Sequence, residues 1–159
     1  MYEVSQQTTA SGAGGRQFLS FTLGKEDFGF DLLKVQEIRG YAAVTPIPNA
    51  PPYVRGVMNL RGAVVPVIGL REKFGMPTVE PDKFTVIVVV SVGSKVMGLV
   101  VDAVSDVLSL QADAIEPPPD LGREVDISFM TGLAKAAERL LILVDIEQML
   151  GADAARDFA

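Results

Sequence analysis

Cysteine, histidine and tryptophan are all absent from the 159 residues. Without cysteine there is no disulfide framework and no thiol nucleophile. Without histidine there is no His-based general acid or base, no Ser-His triad and no zinc site of the Cys/His kind. Positive charge is also short: 14 Lys and Arg stand against 20 Asp and Glu, a net of −6. The few basic residues are scattered, so the chain lacks the basic face that neutralises phosphates, and no nucleic-acid partner is expected. Long apolar runs are missing too. The longest, Val86 to Val92 with Ser91 inside it, falls far short of the ~20 residues of a membrane span, and no direct membrane insertion is expected. The polar N-terminus carries no charged head followed by an apolar stretch. That predicts no secretion signal and, with the lack of cysteine, a cytoplasmic location.

What is present suits a globular chain: hydrophobic residues make up 48% and charged residues 21%. A chain of this length hides roughly 70% of the surface its unfolded form exposes. Residues 1–16 read as a disordered, Gly/Ser/Thr-rich tail. Gln17 to Leu23 and Phe28 to Phe30, joined by turn residues Gly24 to Asp27, predict a β-hairpin, and Val35 to Tyr41 a third strand. Thr45 to Pro52 holds four prolines, which remove backbone donors, and reads as a rigid connection. Tyr53–Leu60 and Ala63–Ile68 read as strands joined at Arg61-Gly62, followed by a helical turn over Leu70–Phe74. After a polar link at Thr78–Lys83 come strands at Phe84–Val92, Val96–Val101 and Val104–Leu110. Glu116-Pro-Pro-Pro-Asp120 reads as a rigid loop. Strands follow at Phe129–Leu133 and Leu140–Val144, then a helical turn from Ile146 to Leu150 that ends at Gly151, with residues 152–159 frayed. Val86-Ile-Val-Val-Val has no helical stripe, and β-branched residues suit a pleated surface. The expected class is mainly β, as small barrels or a sandwich.

The chain also repeats itself. A shift of 69 positions lays Phe18-Leu-Ser-Phe-Thr-Leu-Gly24 over Ile87-Val-Val-Val-Ser-Val-Gly93, and carries Phe28-Gly-Phe30 onto Met97-Gly-Leu99 and Val35-Gln-Glu-Ile38 onto Val104-Ser-Asp-Val107. A shift of 76 carries Val65-Pro-Val-Ile-Gly-Leu-Arg-Glu-Lys-Phe-Gly75 onto Leu141-Ile-Leu-Val-Asp-Ile-Glu-Gln-Met-Leu-Gly151. Each half spells hairpin, three strands and a short helix. Halves of about 17–76 and 84–151 are small for free-standing cores, which predicts two small barrels sharing a hydrophobic seam within one domain, 17–151. Whether strands pass between the halves stays open.

No catalytic constellation emerges. Gly12-Ala-Gly-Gly15 lies in the polar tail, without the strand or the Lys-Ser/Thr ending of a phosphate loop. No serine sits in a nucleophile elbow. Glu26-Asp27 and the pair Asp102 and Asp106 read as solvated turn and edge acids, and Asp113 to Asp126 lacks EF-hand spacing. No enzyme, metal or cofactor is expected. Two charges stand out instead. Glu37 lies inside an apolar strand and Arg61 at a hairpin tip, so the two either face solvent or pair across strands, leaving a guanidinium fork for a partner.

Lys34-Val-Gln-Glu-Ile-Arg-Gly40, Val54-Arg-Gly-Val-Met-Asn-Leu-Arg-Gly62 and Val64-Val-Pro-Val-Ile68 with Leu70-Arg71 resemble the CheW family of chemotaxis coupling proteins. So do Phe18–Gly24, Gly98-Leu-Val-Val-Asp102, Val104–Leu108, Thr131-Gly132 and Leu141–Ile146. The resemblance covers about residues 17–151. It implies two SH3-like five-stranded barrels and a non-enzymatic adaptor, recruited to membrane-associated receptor arrays, that couples chemoreceptor cytoplasmic tips to the regulatory domain of the histidine kinase CheA. It places receptor-binding residues at Val35, Glu37, Ile38, Gly56, Arg61, Gly62, Thr85, Val86, Val104 and Val107, in a groove between the barrels. It places kinase-binding residues at Glu116, Pro117, Asp120 and Leu121. The same module occurs within CheA and CheV, so a regulatory module of a larger protein, or an adaptor of a related non-chemotaxis array, is the alternative. The polar tail and frayed C-terminus favour a free-standing chain. Two positions depart from the family pattern: Gly69 replaces an acid that the second repeat keeps as Asp145, which weakens a helix cap, and Glu116 stands where a basic or neutral residue is expected.

Overall fold

The computed structural model of the chain describes residues 15–118, 129–136 and 138–154. Short strands succeed one another between glycine and proline punctuation. The first half comprises β1 (Arg16–Leu23), β2 (Glu26–Asp31), a 3-10 turn, β3 (Val35–Gly40), β4 (Val54–Leu60), β5 (Ala63–Gly69) and α1 (Leu70–Lys73). The second comprises β6 (Val86–Val92), β7 (Lys95–Val101), β8 (Ala103–Leu110), β9 (Ile115–Glu116), β10 (Met130–Ala136), β11 (Arg139–Val144) and α2 (Ile146–Ala154). The two hairpin glycines at equivalent positions, Gly24 and Gly93, have φ of 63° and 61°, a left-handed conformation that tight turns demand and that costs glycine little.

The strands form two sheets, in the orders β8-β1-β2-β11-β10-β9 and β3-β6-β7-β5-β4. Each sheet takes its leading hairpin from one half and its other strands from the other half. The repeat is visible in the register. Leu143 faces Gly29 and Val144 faces Phe30 in the parallel β2·β11 pair, while Val67 faces Gly98 and Ile68 faces Leu99 in β5·β7. The same two shifts interconvert these pairs. The register slip between Val54 and Gly56 recurs between Met130 and Gly132. The expected two β units are present, and the question the sequence leaves open is answered: strands are exchanged between the halves. Hairpin strands have backbone donors and acceptors on both edges, and strands of the other half satisfy the outer ones. The parallel pairs therefore need no βαβ crossover.

Exchange also explains why the central strands look apolar throughout. Along β6, Val86, Val88, Val90 and Val92 point into one core, while Ile87 and Val89 point into another. Alternate residues of a strand face opposite ways, so a strand covered on both sides loses its polar alternation. The larger core holds 20 buried residues from both sheets and from α1 and α2, against 6 and 5 in the cores that belong to one sheet each. The seam is thus the main core and neither sheet stands alone. Through it runs a chain of ring contacts, Phe30–Phe21–Phe28–Phe74–Phe129, with centroids 4.3–5.5 Å apart.

Several boundaries differ from expectation. Phe84 and Thr85 precede β6 in a turn closed by Asp82, whose carboxylate accepts the Phe84 N–H. Glu116 is not loop but the end of β9, opposite Leu133, which makes this the sixth strand of its sheet. Helix α2 continues past Gly151 to Ala154. Its last turn is anchored: Asp153, 2% exposed, accepts the Tyr53 hydroxyl at 2.7 Å and the Lys73 ammonium at 2.9 Å. Burial, then the Asp153 carboxylate, pushes the Tyr53 pKa up. Asp102 is no solvated edge acid. It binds the Arg71 guanidinium at 2.6 Å and the Gly24 N–H at 2.7 Å. Asp27 is likewise paired, with Arg139 at 2.6 Å.

The missing acid at position 69 is compensated. Asp145 caps α2 by accepting the Gln148 N–H, whereas Gly69 has no side-chain cap. A Cβ on Gly69 would stand 2.0 Å from a Glu72 carboxylate oxygen and 2.7 Å from Arg55 Nε. Glu72, three residues on, fills the place the acid would take and is itself held by Arg55 at 3.1 Å and by the Thr78 hydroxyl. The first turn of α1 keeps a carboxylate against its positive end by this route.

Candidate functional site

Strands β3 and β8 occupy equivalent places in the repeat, and each is the outer strand of its sheet, paired on one side only. Both are bulged at the same point. Val35 faces Val90 while Glu37 faces Val89, and Val104 faces Phe21 while Val107 faces Leu19. A bulge re-aims the side chains beside it and bends the strand. Val35 and Val104 are partly buried and lie against the shared core. The two open edges therefore carry matching apolar residues onto one seam. At opposite ends of β3 lie two hollows. One of about 380 Å³ includes Val35 with Leu32, Leu33 and Gln36, and one of about 350 Å³ includes Thr85 and Val86 with Gly40 and Tyr41.

Glu37 and Arg61 do pair, at 2.8 Å, but not across adjacent strands. β3 and β4 stand at opposite ends of their sheet, so the sheet curls until the β4–β5 tip reaches β3, and the ion pair bridges the closure. Arg39 gives Glu37 a second cation at 3.2 Å. The hydrogen bond from Arg61, with that from Arg39, outweighs the desolvation that opposes it and holds the Glu37 carboxyl below its ordinary value. Arg61 remains 67% exposed, so its guanidinium keeps donors free for a partner's carboxylate or carbonyl. Arg61 and Gly62 have φ of 49° and 89°, and Asn59 accepts the Gly62 N–H, which sets the tip's shape.

The remaining residues named for the groove divide in two. Val107 is 36% exposed and Thr85 partly so. Ile38 at 2% and Val86 at 6% are buried by the protein's own core. Gly56 is also buried, with φ of 146°, and a Cβ there would lie 2.1 Å from the Thr45 carbonyl oxygen, where the connection bridges onto β4. Substitutions at these three positions reach the surface through the fold. Of the kinase-facing set, Glu116 and Pro117 are exposed at the open edge formed by β9, while Asp120 and Leu121 lie outside the described residues.

Sequence reasoning missed two neighbours. Leu33, on the 3-10 turn between β2 and β3, is 91% exposed beside the Val35 hollow, its N–H held by the Asp31 carboxylate at 3.0 Å. Its signal was an apolar pair, Leu32-Leu33, between a capping Asp and a strand. Arg39 was visible only as a charge two residues from Glu37. Among the described residues no group of three or more acids could hold a metal ion. No helix there is long and apolar enough to cross a membrane.

These features define a two-sheet β module in which an internal repeat sets two matching bulged strands, β3 and β8, at the edges of the two sheets. Comparison places it more closely. A family model described as CheW-like domain matches residues 17–154, and the chain belongs to that family. It is 52% identical over 139 residues to the chemotaxis protein CheW of Klebsiella aerogenes, covering 87% of this chain and 84% of that protein. Against the chemotaxis protein CheW of Rhizobium meliloti it is 41% identical over 136 residues, covering 86% and 88%. The crystal structure of the scaffolding protein TtCheW from Thermoanaerobacter tengcongensis superposes with a TM-score of 0.79 at 32% identity, covering 86% of this chain and 92% of that one.

Proposed function

We propose that the chain is a non-catalytic adaptor that couples chemoreceptor cytoplasmic tips to the histidine kinase CheA in a cytoplasmic array at the membrane. The observation that carries this reading is the pair of bulged edge strands, β3 and β8, with the half-free Arg61 guanidinium held beside β3 by Glu37. A receptor helix lays an apolar stripe along Val35, Val104 and Val107, while Arg61 and Glu37 set its register through charge. The kinase regulatory domain docks at the other edge, near Glu116 and Pro117. Family membership and relatives named as chemotaxis and scaffolding proteins support the role. Single contacts of this kind are weak, and their strength comes from many in one array.

The test is reconstitution with the host's receptor-bearing membranes and its CheA. Kinase activity should rise several-fold when the protein is added and respond to attractant only in its presence. Saturable micromolar binding to the isolated kinase regulatory domain, weakened by changing Glu116 and Pro117 to Lys and Ala, should accompany it. Kinase control that is the same with and without the protein would reject the proposal.

A further inference from the structure

The ladders β1·β8, β2·β11, β3·β6 and β5·β7 all join residues 16–73 to residues 86–154. Each half therefore presents the other with open strand edges and most of the seam core. Covalently they are joined only through the 12 residues 74–85. Pro77 to Phe84 in that link are all exposed, and Phe84 is 59% so. Phe74 and Met76 at its start pack against the seam core, but what holds Pro77 to Phe84 is slight: Arg71 to the Pro77 carbonyl at 3.1 Å, the Thr78 hydroxyl to Glu72, and the Asp82 turn. Pulled out, such a link reaches ~40 Å, and its two prolines favour extension.

We infer that the surface each half offers the other is also a docking surface for the matching half of a second copy. The chain forms a reciprocally exchanged dimer, in which residues 16–73 of one protomer complete both sheets with residues 86–154 of its partner. Monomer and dimer contain the same ladders, cores and ion pairs. Their balance is set by the link and by protein concentration alone, the condition under which exchange between copies costs little. Interconversion is slow, because all four ladders must open first. If the proposed receptor groove is right, each groove in the dimer draws Val35, Glu37 and Arg61 from one protomer and Val104 and Val107 from its partner. The particle is then bivalent. The exchange itself does not depend on that reading, and its test uses no receptor or kinase.

The chain has no cysteine, so introduced thiols report cleanly. Gln17 and Ser109 face each other across β1·β8, one from each half. Full-length Gln17→Cys and Ser109→Cys chains are mixed, unfolded, refolded together at increasing concentration and oxidised. The expected result is a disulfide-linked heterodimer on a denaturing gel, rising with concentration and melting like the monomer, whereas chains mixed after folding give none. Removing Pro77–Phe84 from both chains should raise the yield, and should that shortened form not fold, the full-length pair decides. Absence of the heterodimer at every concentration would overturn the inference. So would an equal yield from Gln17→Cys with Val64→Cys, two positions on different sheets, since random collision would then account for the product.

Discussion

At the tip of the first hairpin the Gly24 N–H donates to Asp102, which also receives the Arg71 guanidinium from α1. At the tip of the second, the Gly93 N–H donates to Glu147 on α2, which also receives the Lys34 ammonium. Arg71 and Glu147 are equivalent under the repeat, so in one half the helix brings the cation and in the other the acid. What both halves keep is a carboxylate on the hairpin glycine and a cation on that carboxylate. Which element supplies each is free to change. The two ties differ in depth: side-chain exposures are 14% and 27% for Arg71 and Asp102, against 41% for both Lys34 and Glu147. Equivalent geometry therefore does not mean equivalent energy, and matched substitutions in the two halves should separate them.

The largest separation is expected at the paired glycines. Gly56→Ala places a Cβ against the Thr45 carbonyl at a backbone conformation that side chains rarely adopt, and should cost about 3 kcal/mol or more. Gly132→Ala meets the Glu116 carbonyl oxygen at 2.8 Å without that conformational penalty, and should cost about 1–2 kcal/mol. Urea denaturation of the two variants reads the difference. Equal costs would show that the second half has no slack at β9.

The ties come next. Asp102→Asn leaves a mostly buried Arg71 without its charge partner and should cost about 1–2 kcal/mol, while Glu147→Gln should cost at most about 0.5 kcal/mol. Their pH dependence has a definite sign. Burial alone would raise the Asp102 pKa, but Arg71 and the Gly24 N–H together bring it below its ordinary value. Lys34, then the Gly93 N–H, do the same for Glu147. A carboxyl depressed in the folded state stabilises above its unfolded pKa, and that contribution is lost as pH falls through the folded value. Thermal melts in acid should therefore show the wild type losing stability, with the loss flattened more by Asp102→Asn than by Glu147→Gln.

The helix caps come last. Asp145→Ala removes the cap on Gln148 and should cost about 1 kcal/mol. Gly69→Asp restores the family's acid but displaces Glu72 from the same space, so its net effect should stay within about 0.5 kcal/mol of zero. A gain well beyond that would mean that Glu72 does not substitute for the cap.

The strands themselves were legible because valine and isoleucine runs broken by Gly and Pro have few other solutions, and the repeat was legible because both turn glycines recur. The exchange between halves was not. Period and propensity say which residues lie on a strand and which way they face, but nothing about which strand lies alongside. Glu37 and Arg61 could be read as a pair, yet the curl that joins the two ends of the sheet could not. The loss at Gly69 was visible, while its repair was hidden, because Glu72 looks like any acid in a first helical turn. Leu33 escaped notice since the apolar pair Leu32-Leu33 reads equally well as two buried residues leading into a strand.

The proposed receptor site is best tested through Arg61, whose counterpart position in the second half is an alanine, Ala137. A receptor cytoplasmic-tip fragment is titrated into wild type, Arg61→Glu, and the double variant Glu37→Arg/Arg61→Glu, with melting curves taken alongside. Arg61→Glu should weaken binding at least ~10-fold while the melting temperature moves by only a few degrees, because an exposed pair at a hairpin tip contributes little to stability. The double variant should recover the melting temperature but not the affinity, since the partner meets reversed charges. Unchanged affinity in Arg61→Glu, or a loss of affinity matched by a collapse in melting temperature, would contradict the placement of the receptor between β3 and β8.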